Sequence, residues 1–132
     1  MSLASMSHAG FDVPPGFTIA TSAYREVGTT GDLQQKIIGL ARPVLVGRTV
    51  SFEAASESIR ALFAGVELSN SLKTQIADAY GELGETAVAV RSSSNAEDLP
   101  DLSFAGQQDT YLNVRGVDAV AAAVLNCWAS LW

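Results

Sequence analysis

The residue best suited to binding an anion is Arg91, which directly follows a short apolar run and begins a polar one. A guanidinium group carries five N–H donors in a planar fork and can hold phosphate or carboxylate through two parallel hydrogen bonds. The serines at 92–94 could add hydroxyl and backbone N–H donors. The alternative is a salt bridge from Arg91 to Glu97 or Asp98, because ion pairs that only stabilise structure are commoner than binding sites. The spacing of these residues leaves both interpretations open.

A second candidate for anion binding is the sequence Phe104-Ala105-Gly106-Gln107-Gln108. A glycine lets backbone N–H groups approach an anion closely, and the amide side chain that follows can donate as well. The segment matches neither the phosphate-binding P-loop pattern nor the glycine pattern of dinucleotide-binding folds. An ordinary turn has the same composition, so this segment alone does not decide between the two.

Metal binding and nucleophilic catalysis have few candidate residues. Glu97, Asp98 and Asp101 could hold Mg²⁺ beside a phosphate, but a solvated acidic turn is the simpler interpretation, and we predict no metal site there. The chain has one histidine, His8, and one cysteine, Cys127. His/Cys metal sites and Ser-His-Asp or Cys-His systems therefore lack a necessary partner. We predict no catalytic residue, and a buried packing role for Cys127.

Composition restricts the class of protein and its partners. The 132 residues suffice for about one domain, and a hydrophobic content of 48% with 17% charged residues excludes a disordered chain. The formal charge is −6 with only two lysines, so no basic surface for nucleic acid or an anionic membrane is expected. A single cysteine, no leader segment and no apolar stretch of roughly 20 residues predict a cytoplasmic protein.

Hydrophobic spacing predicts the elements that position these residues. Helices are expected over 2–9, 22–27, 32–40, 52–63, 69–83 and 117–131. Asp32 and Ser51 are the expected N-caps of two of them. A small sheet is expected to include strands over 17–21, 86–91 and 110–115, and the second of these, almost wholly apolar, is expected to be buried on both faces. The long loop between the last two strands is of a length that is usually functional or disordered.

Residues 88–114 together closely resemble one family. Their sequence, VAVRSSSNAEDLPDLSFAGQQDTYLNV, is similar to the N-terminal nucleotide-binding domain of phosphoenolpyruvate synthases (pyruvate, water dikinases), pyruvate phosphate dikinases and rifampicin phosphotransferases. The segment Val13-Pro14-Pro15-Gly16-Phe17 with the helix start at 22–24 resembles the early strand and turn of that family, and residues 127–132 resemble its later helix. The resemblance therefore covers essentially the whole chain.

The resemblance implies both a fold and a site. Residues 1–132 would be a single partial domain of the α+β (mixed α/β) class, the N-terminal portion of an ATP-grasp-type domain with helices packed on a small sheet. In the family, the arginine that matches Arg91 contacts nucleotide phosphates, and the loop that matches 106–108 lies over them. The implied nucleotide-binding residues are Arg91, Gly106, Gln107, Gln108 and Thr110. ATP and Mg²⁺ are implied for the parent family, and neither is expected to bind this chain tightly.

The sequence also departs from the family pattern. The family's Gly-Gly-Lys segment and the metal ligands of its later half have no counterpart here. We therefore expect an inactive fragment of an ATP-dependent phosphotransferase that contributes one wall of the ATP phosphate site. Phosphoenolpyruvate synthase, as the commoner housekeeping activity, is preferred to rifampicin phosphotransferase. The remaining alternative is a non-catalytic interaction or regulatory module derived from the same domain.

The last helix suggests how such a fragment would meet its partners. Its apolar stripe includes Val120, Val124, Trp128 and Leu131, and no stop signal precedes Trp132. Large exposed apolar patches are rare on soluble monomers. We therefore expect this face to contact the remainder of the parent enzyme or a second copy of the chain, unless the tail folds back on its own core.

Overall fold

The computed structural model describes residues 3–41, 44–46, 49–93 and 109–132. Within these ranges, the α-helices are α1 Leu3–His8, α2 Thr21–Thr29, α3 Leu33–Leu40, α4 Glu53–Ala64, α5 Asn70–Glu82 and α6 Val117–Ala129. The strands are β1 Val44–Val46, β2 Thr49–Ser51, β3 Val88–Arg91 and β4 Thr110–Val114, and a 3-10 turn over Thr30–Asp32 joins α2 to α3. The mixed α+β class with helices packed on a small sheet is confirmed.

The core is built from the apolar stripes of the helices. Helix α4 buries Ile59 and Phe63, and α5 buries Leu72, Ile76 and Tyr80. These residues recur at intervals of four, so each helix presents one continuous apolar face to the other elements. Both stripes are where the sequence predicts them.

Helix α6 packs against α4 and α5 as well as both strands of the β3–β4 pair. Val120 is 2% exposed and Val124 is 5% exposed, and Trp128 packs edge-on against the ring of Tyr24 at 5.6 Å. The expectation that these positions form an exposed face is therefore wrong at Val120 and Val124, which lie in the core of the chain itself. Leu131, at 47% exposed, follows the end of the helix.

Strands β3 and β4 form an antiparallel pair with a β-bulge. The paired residues are Val88 with Val114, Val90 with Tyr111, and Arg91 with Thr110. Between the first two pairs, one residue of β3 faces two residues of β4, and Asn113 takes a left-handed conformation with φ of +55°. An extra residue reverses the in-and-out alternation of a strand. Tyr111 and Val114 therefore both turn toward the helices, although they are three positions apart.

The predicted strand over 17–21 is wrong. Residues 11–20 have no regular structure, and α2 begins at Thr21. A strand needs a partner for its backbone hydrogen bonds, and the described sheets pair β1 with β2 and β3 with β4. Ile19 instead packs against the helical core, while Phe17 remains partly exposed.

The predicted burial of β3 on both faces is also wrong. Val88 and Val90 are half-buried, but Ala89 and Arg91 lie on an exposed face. Helix α6 packs against the pair, and the alternation along the strand places every second residue on the opposite face. The strand is thus half-covered, and its exposed face carries Arg91.

Both predicted N-caps, Asp32 and Ser51, are wrong. Asp32 precedes α3 but has φ of +60°, and its side chain makes no capping hydrogen bond. An N-cap residue normally has extended backbone, which directs its side-chain oxygen at the first N–H groups of the helix. Ser51 lies in β2, and the exposed Phe52 precedes α4 instead. The structure instead shows an N-cap that was not predicted: the Ser69 hydroxyl, before α5, accepts a 3.2 Å hydrogen bond from the backbone N–H of Leu72.

No helix in the described ranges is both long enough and apolar enough to cross a membrane.

Candidate functional site

Arg91 and Thr110 lie directly opposite each other in the β3–β4 pair. Arg91 is the last residue of β3 and Thr110 the first residue of β4. Opposed residues of an antiparallel pair project from the same face, with Cβ atoms about 4.5–5.5 Å apart. Both residues are exposed, whereas the adjacent pair of Val90 and Tyr111 is half-buried. The fold therefore brings together two of the residues that the family resemblance implied as nucleotide-binding.

The Arg91 side chain lies at the exposed end of the β3–β4 ladder. Its Nε donates a long hydrogen bond of 3.4 Å to the backbone oxygen of Ser92. This contact uses one of the five N–H donors that a guanidinium group carries. The remaining predicted site residues, Gly106, Gln107 and Gln108, lie outside the described residues, as do the acidic residues Glu97, Asp98 and Asp101. The alternative salt bridge of Arg91 to one of these acids therefore stays a prediction.

The Tyr80 hydroxyl joins the two chain segments at the far end of the β3–β4 ladder, opposite to the end that carries Arg91 and Thr110. Its side chain is 1% exposed, and its hydroxyl donates to the backbone oxygen of Thr86 at 2.9 Å and accepts from the backbone N–H of Gly116 at 3.0 Å. Thr86 precedes β3 and Gly116 follows β4. One buried hydroxyl on α5 thus holds the start of one strand and the end of the other.

Asp109 makes several contacts at the near end of the β3–β4 ladder, next to Thr110. Its backbone N–H donates to the Ser130 hydroxyl at 3.2 Å, and its carboxylate oxygen Oδ2 accepts from the Tyr111 hydroxyl at 3.2 Å. Nη1 of Arg60, on α4, lies 4.0 Å from the same carboxylate oxygen. The Ser130 hydroxyl in turn donates to the backbone oxygen of Cys127 at 2.8 Å. The entry to β4 is therefore tied to α4 and to the C-terminal turn of α6.

The Cys127 thiol contacts the backbone oxygens of the two residues that precede Arg91 and Thr110. Its sulfur lies 3.6 Å from the backbone oxygen of Val90 and 3.7 Å from that of Asp109. These two carbonyls precede Arg91 and Thr110, respectively. The thiol has one proton and donates to one carbonyl at a time. Cys127 is 3% exposed, which confirms the predicted packing role and adds a hydrogen-bonding one.

Burial raises the pKa of two hydrogen-bond donors at this end of the ladder, Cys127 and Tyr111. Burial first, and the negative charge of Asp109 second, raise the pKa of the Cys127 thiol above its usual 9.0, while a backbone hydrogen bond from Ser92 acts in the opposite direction. Burial likewise raises the pKa of Tyr111 above its usual 10.0, with the charge of Asp109 and the hydrogen bond to it acting in the same direction. Both groups therefore remain hydrogen-bond donors at neutral pH.

Sequence reasoning missed the residues that hold the site. Arg60, Asp109, Tyr111 and Ser130 come from α4, the entry to β4, and the turn after α6. The alternation of Asp109 and Tyr111 was a signal that both could share one face of a strand. Their contacts with α4 and with the turn after α6 depend on packing that no local pattern specifies. Across the described ranges, no three His, Cys, Asp or Glu side chains are grouped closely enough to hold a metal ion.

Comparison with known proteins shows the family of the chain. Residues 1–132 match the family described as "Pyruvate phosphate dikinase, AMP/ATP-binding domain". The chain belongs to this family. The ladder end that carries Arg91 and Thr110 is thus part of a domain type whose description names adenine nucleotides.

Curated relatives in this family share much of the sequence. The chain is 44% identical over 140 residues to the phosphoenolpyruvate synthase of Aeropyrum pernix, and the alignment covers 98% of this chain and 17% of that protein. It is 42% identical over 137 residues to a probable phosphoenolpyruvate synthase of Methanocaldococcus jannaschii, covering 99% of this chain and 12% of that protein. It is also 42% identical over 129 residues to the phosphoenolpyruvate synthase of Helicobacter pylori, covering 93% and 16% respectively. The chain therefore spans less than a fifth of the length of each of these three relatives.

Proposed function

We propose that this chain contributes one wall of the ATP phosphate site of a phosphoenolpyruvate synthase. The observation that carries the proposal is the pairing of Arg91 with Thr110 on the exposed face of the β3–β4 ladder. Membership of an AMP/ATP-binding domain family supports adenine nucleotide as the ligand. The names of the relatives favour phosphoenolpyruvate synthase over rifampicin phosphotransferase.

Arg91 would bind and orient the phosphates. A guanidinium held at the end of a strand can meet two phosphate oxygens at once, and the Thr110 hydroxyl opposite it can donate a further hydrogen bond. Backbone N–H groups of Gly106 and the amides of Gln107 and Gln108 are proposed to complete this wall. Phosphoryl transfer spreads charge over the three equatorial oxygens, so fixed cations and donors stabilise its transition state.

Mg²⁺ is proposed for the whole enzyme and not assigned to residues of this chain. When bound, the ion would neutralise charge on the ATP phosphates. The carboxylate of Asp109, the residue before Thr110, lies beside the Tyr111 hydroxyl and the Arg60 guanidinium. The part proposed for this chain is therefore to bind and orient phosphate oxygens.

An ATP titration of the chain tests this proposal. We expect saturable changes in the amide NMR signals of Arg91 and Thr110, with an affinity in the millimolar range, because few donors lie on one side of the ligand. Arg91→Ala should weaken binding at least about tenfold, since a hydrogen bond to a charged group contributes about 1.5–3 kcal/mol. Arg91→Lys should lie between the two, because lysine keeps the charge and loses the planar fork.

Arg115→Ala is the matched control. Arg115 directly follows β4 at the opposite end of the ladder and is also exposed, so its removal changes the net charge equally without touching the proposed site. Equal weakening by Arg91→Ala and Arg115→Ala would indicate nonspecific attraction and refute the site. In the intact gene product, Arg91→Ala should also lower pyruvate-dependent consumption of ATP, and rifamycin-dependent consumption would contradict the proposed substrate.

A further inference from the structure

Asp109 joins several elements of the fold at the ladder end that carries Arg91 and Thr110. Its N–H reaches the Ser130 hydroxyl, its carbonyl lies 3.7 Å from the Cys127 sulfur, and its carboxylate accepts from Tyr111. We propose that Asp109 is a positioning residue, which holds Thr110, and through the strand pairing Arg91, in the geometry that binds phosphate. This inference rests on the proposed function and adds to it a residue that would not touch the nucleotide.

The anchoring contacts and the proposed ligand contacts lie on opposite faces of the ladder. Side chains alternate along a strand, so the residues on either side of Thr110 project to the face that Thr110 does not. The hydrogen bond between the side chains of Asp109 and Tyr111 agrees with this arrangement, and Tyr111 is paired with the half-buried Val90. The carboxylate thus points toward the helices, while Thr110 and Arg91 share the exposed face.

The individual contacts of Asp109 differ in weight. The Arg60 pair is at 4.0 Å, with both side chains nearly half exposed, and such ion pairs contribute little because water and salt screen them. The hydrogen bond from Tyr111 is shorter, and its partly buried donor has a pKa raised by burial and by Asp109 itself. The acceptor oxygen for Tyr111 is therefore the part of the side chain that we expect to matter, more than the net charge.

This distinction separates three variants of the chain. Asp109→Ala removes the acceptor and should weaken ATP binding about three- to tenfold, the change that loss of one hydrogen bond produces. Asp109→Asn keeps an acceptor oxygen and should restore affinity to within about twofold of the unmodified chain. Tyr111→Phe removes the donor, keeps the ring, and should behave like Asp109→Ala. Asp78→Ala, at an exposed position of α5, is the control for the loss of one negative charge.

Hydrogen exchange of the ligand-free chain gives a readout that does not depend on ATP. We expect Asp109→Ala to speed exchange of the amides of Arg91 and Thr110 while leaving that of Ile76, in the core of α5, unchanged. A merely global loss of stability would speed all three alike.

The outcomes separate the two proposals. If Arg91→Ala binds ATP as well as the unmodified chain, the proposed function fails, and the ligand-free exchange still reports whether Asp109 anchors the ladder. If Arg91→Ala weakens binding and Asp109→Ala does not, the positioning role is refuted while the proposed function stands. If Asp109→Asn is as weak as Asp109→Ala, the negative charge itself is required, and the positioning argument is wrong.

Discussion

Replacement of Tyr80 by Phe tests whether one buried hydroxyl holds the far end of the ladder. The hydroxyl bridges the backbone oxygen of Thr86 and the backbone N–H of Gly116, 36 residues further along the chain from Tyr80. Phenylalanine keeps the ring in its place in the core, so little cavity forms. The change therefore removes two hydrogen bonds and little packing.

The expected loss of stability follows from these two bonds. A hydrogen bond contributes about 0.5–1.5 kcal/mol net, so the free energy of unfolding should fall by about 1–3 kcal/mol. The entropy of unfolding is about 2.1 cal/mol/K per residue, or about 0.28 kcal/mol/K for a chain of this length. The melting temperature should therefore fall by about 4–11 °C.

Urea and thermal denaturation followed by circular dichroism measure this loss, with Tyr24→Phe as the matched control. The Tyr24 hydroxyl accepts one exposed hydrogen bond of 3.1 Å from Nε1 of Trp132, and the ring contacts of Tyr24 with Phe63 and Trp128 survive the change. The control should stay within about 0.5 kcal/mol of the unmodified chain, as surface substitutions usually do. A Tyr80→Phe variant within the same margin would refute the bridging role of Tyr80.

Two further predictions concern pH and the last helix. Folding raises the pKa of both Cys127 and Tyr111 above 9.0 and 10.0, respectively, so the unfolded chain loses these protons first. The free energy of unfolding that these two groups contribute is fully present below pH 9.0 and declines as the pH rises through the folded pKa values. Urea denaturation at a series of pH values should show this decline, and Cys127→Val should reduce it. A free energy of unfolding that does not fall at high pH would contradict the burial of these groups. Val124→Lys should unfold the chain, because it buries an unpaired charge in the core. Leu131 is half-exposed, so Leu131→Lys should lower the free energy of unfolding by less than about 1 kcal/mol. Circular dichroism and light scattering at low concentration report whether each of the two variants is folded and monomeric. A folded Val124→Lys monomer would refute the burial of Val124 by the packing of α6.

Local patterns in the sequence predicted the helices and the two strands of the site. Helices α4 and α5 follow from apolar residues that recur with the helical period, since burial of one helix face is encoded within a few turns. The strands were recognisable because short β-rich runs lie between polar segments. Arg91 was selected by its type and its place at the end of such a run, and Thr110 by resemblance to the family.

Features that depend on distant residues were decided only by the tertiary structure. The alternating segment at 17–21 looked like a strand, but a strand also needs a partner, and none of the strands in the described ranges pairs with it. The apolar composition of the α6 stripe does not show whether the stripe faces solvent or the core. The packing of α6 on α4 and α5 is what buries Val124.

The same holds for the candidate site. The sequence identified Arg91 and indicated a long loop after it, but the register that sets Arg91 opposite Thr110 depends on the bulge at Asn113 and on hydrogen bonds at both ends of the ladder. Those hydrogen bonds join Tyr80 to Gly116 and Asp109 to Ser130. Hydrogen bonds between residues so far apart form only when helices pack at one particular place on the sheet, and no short window of sequence contains both partners.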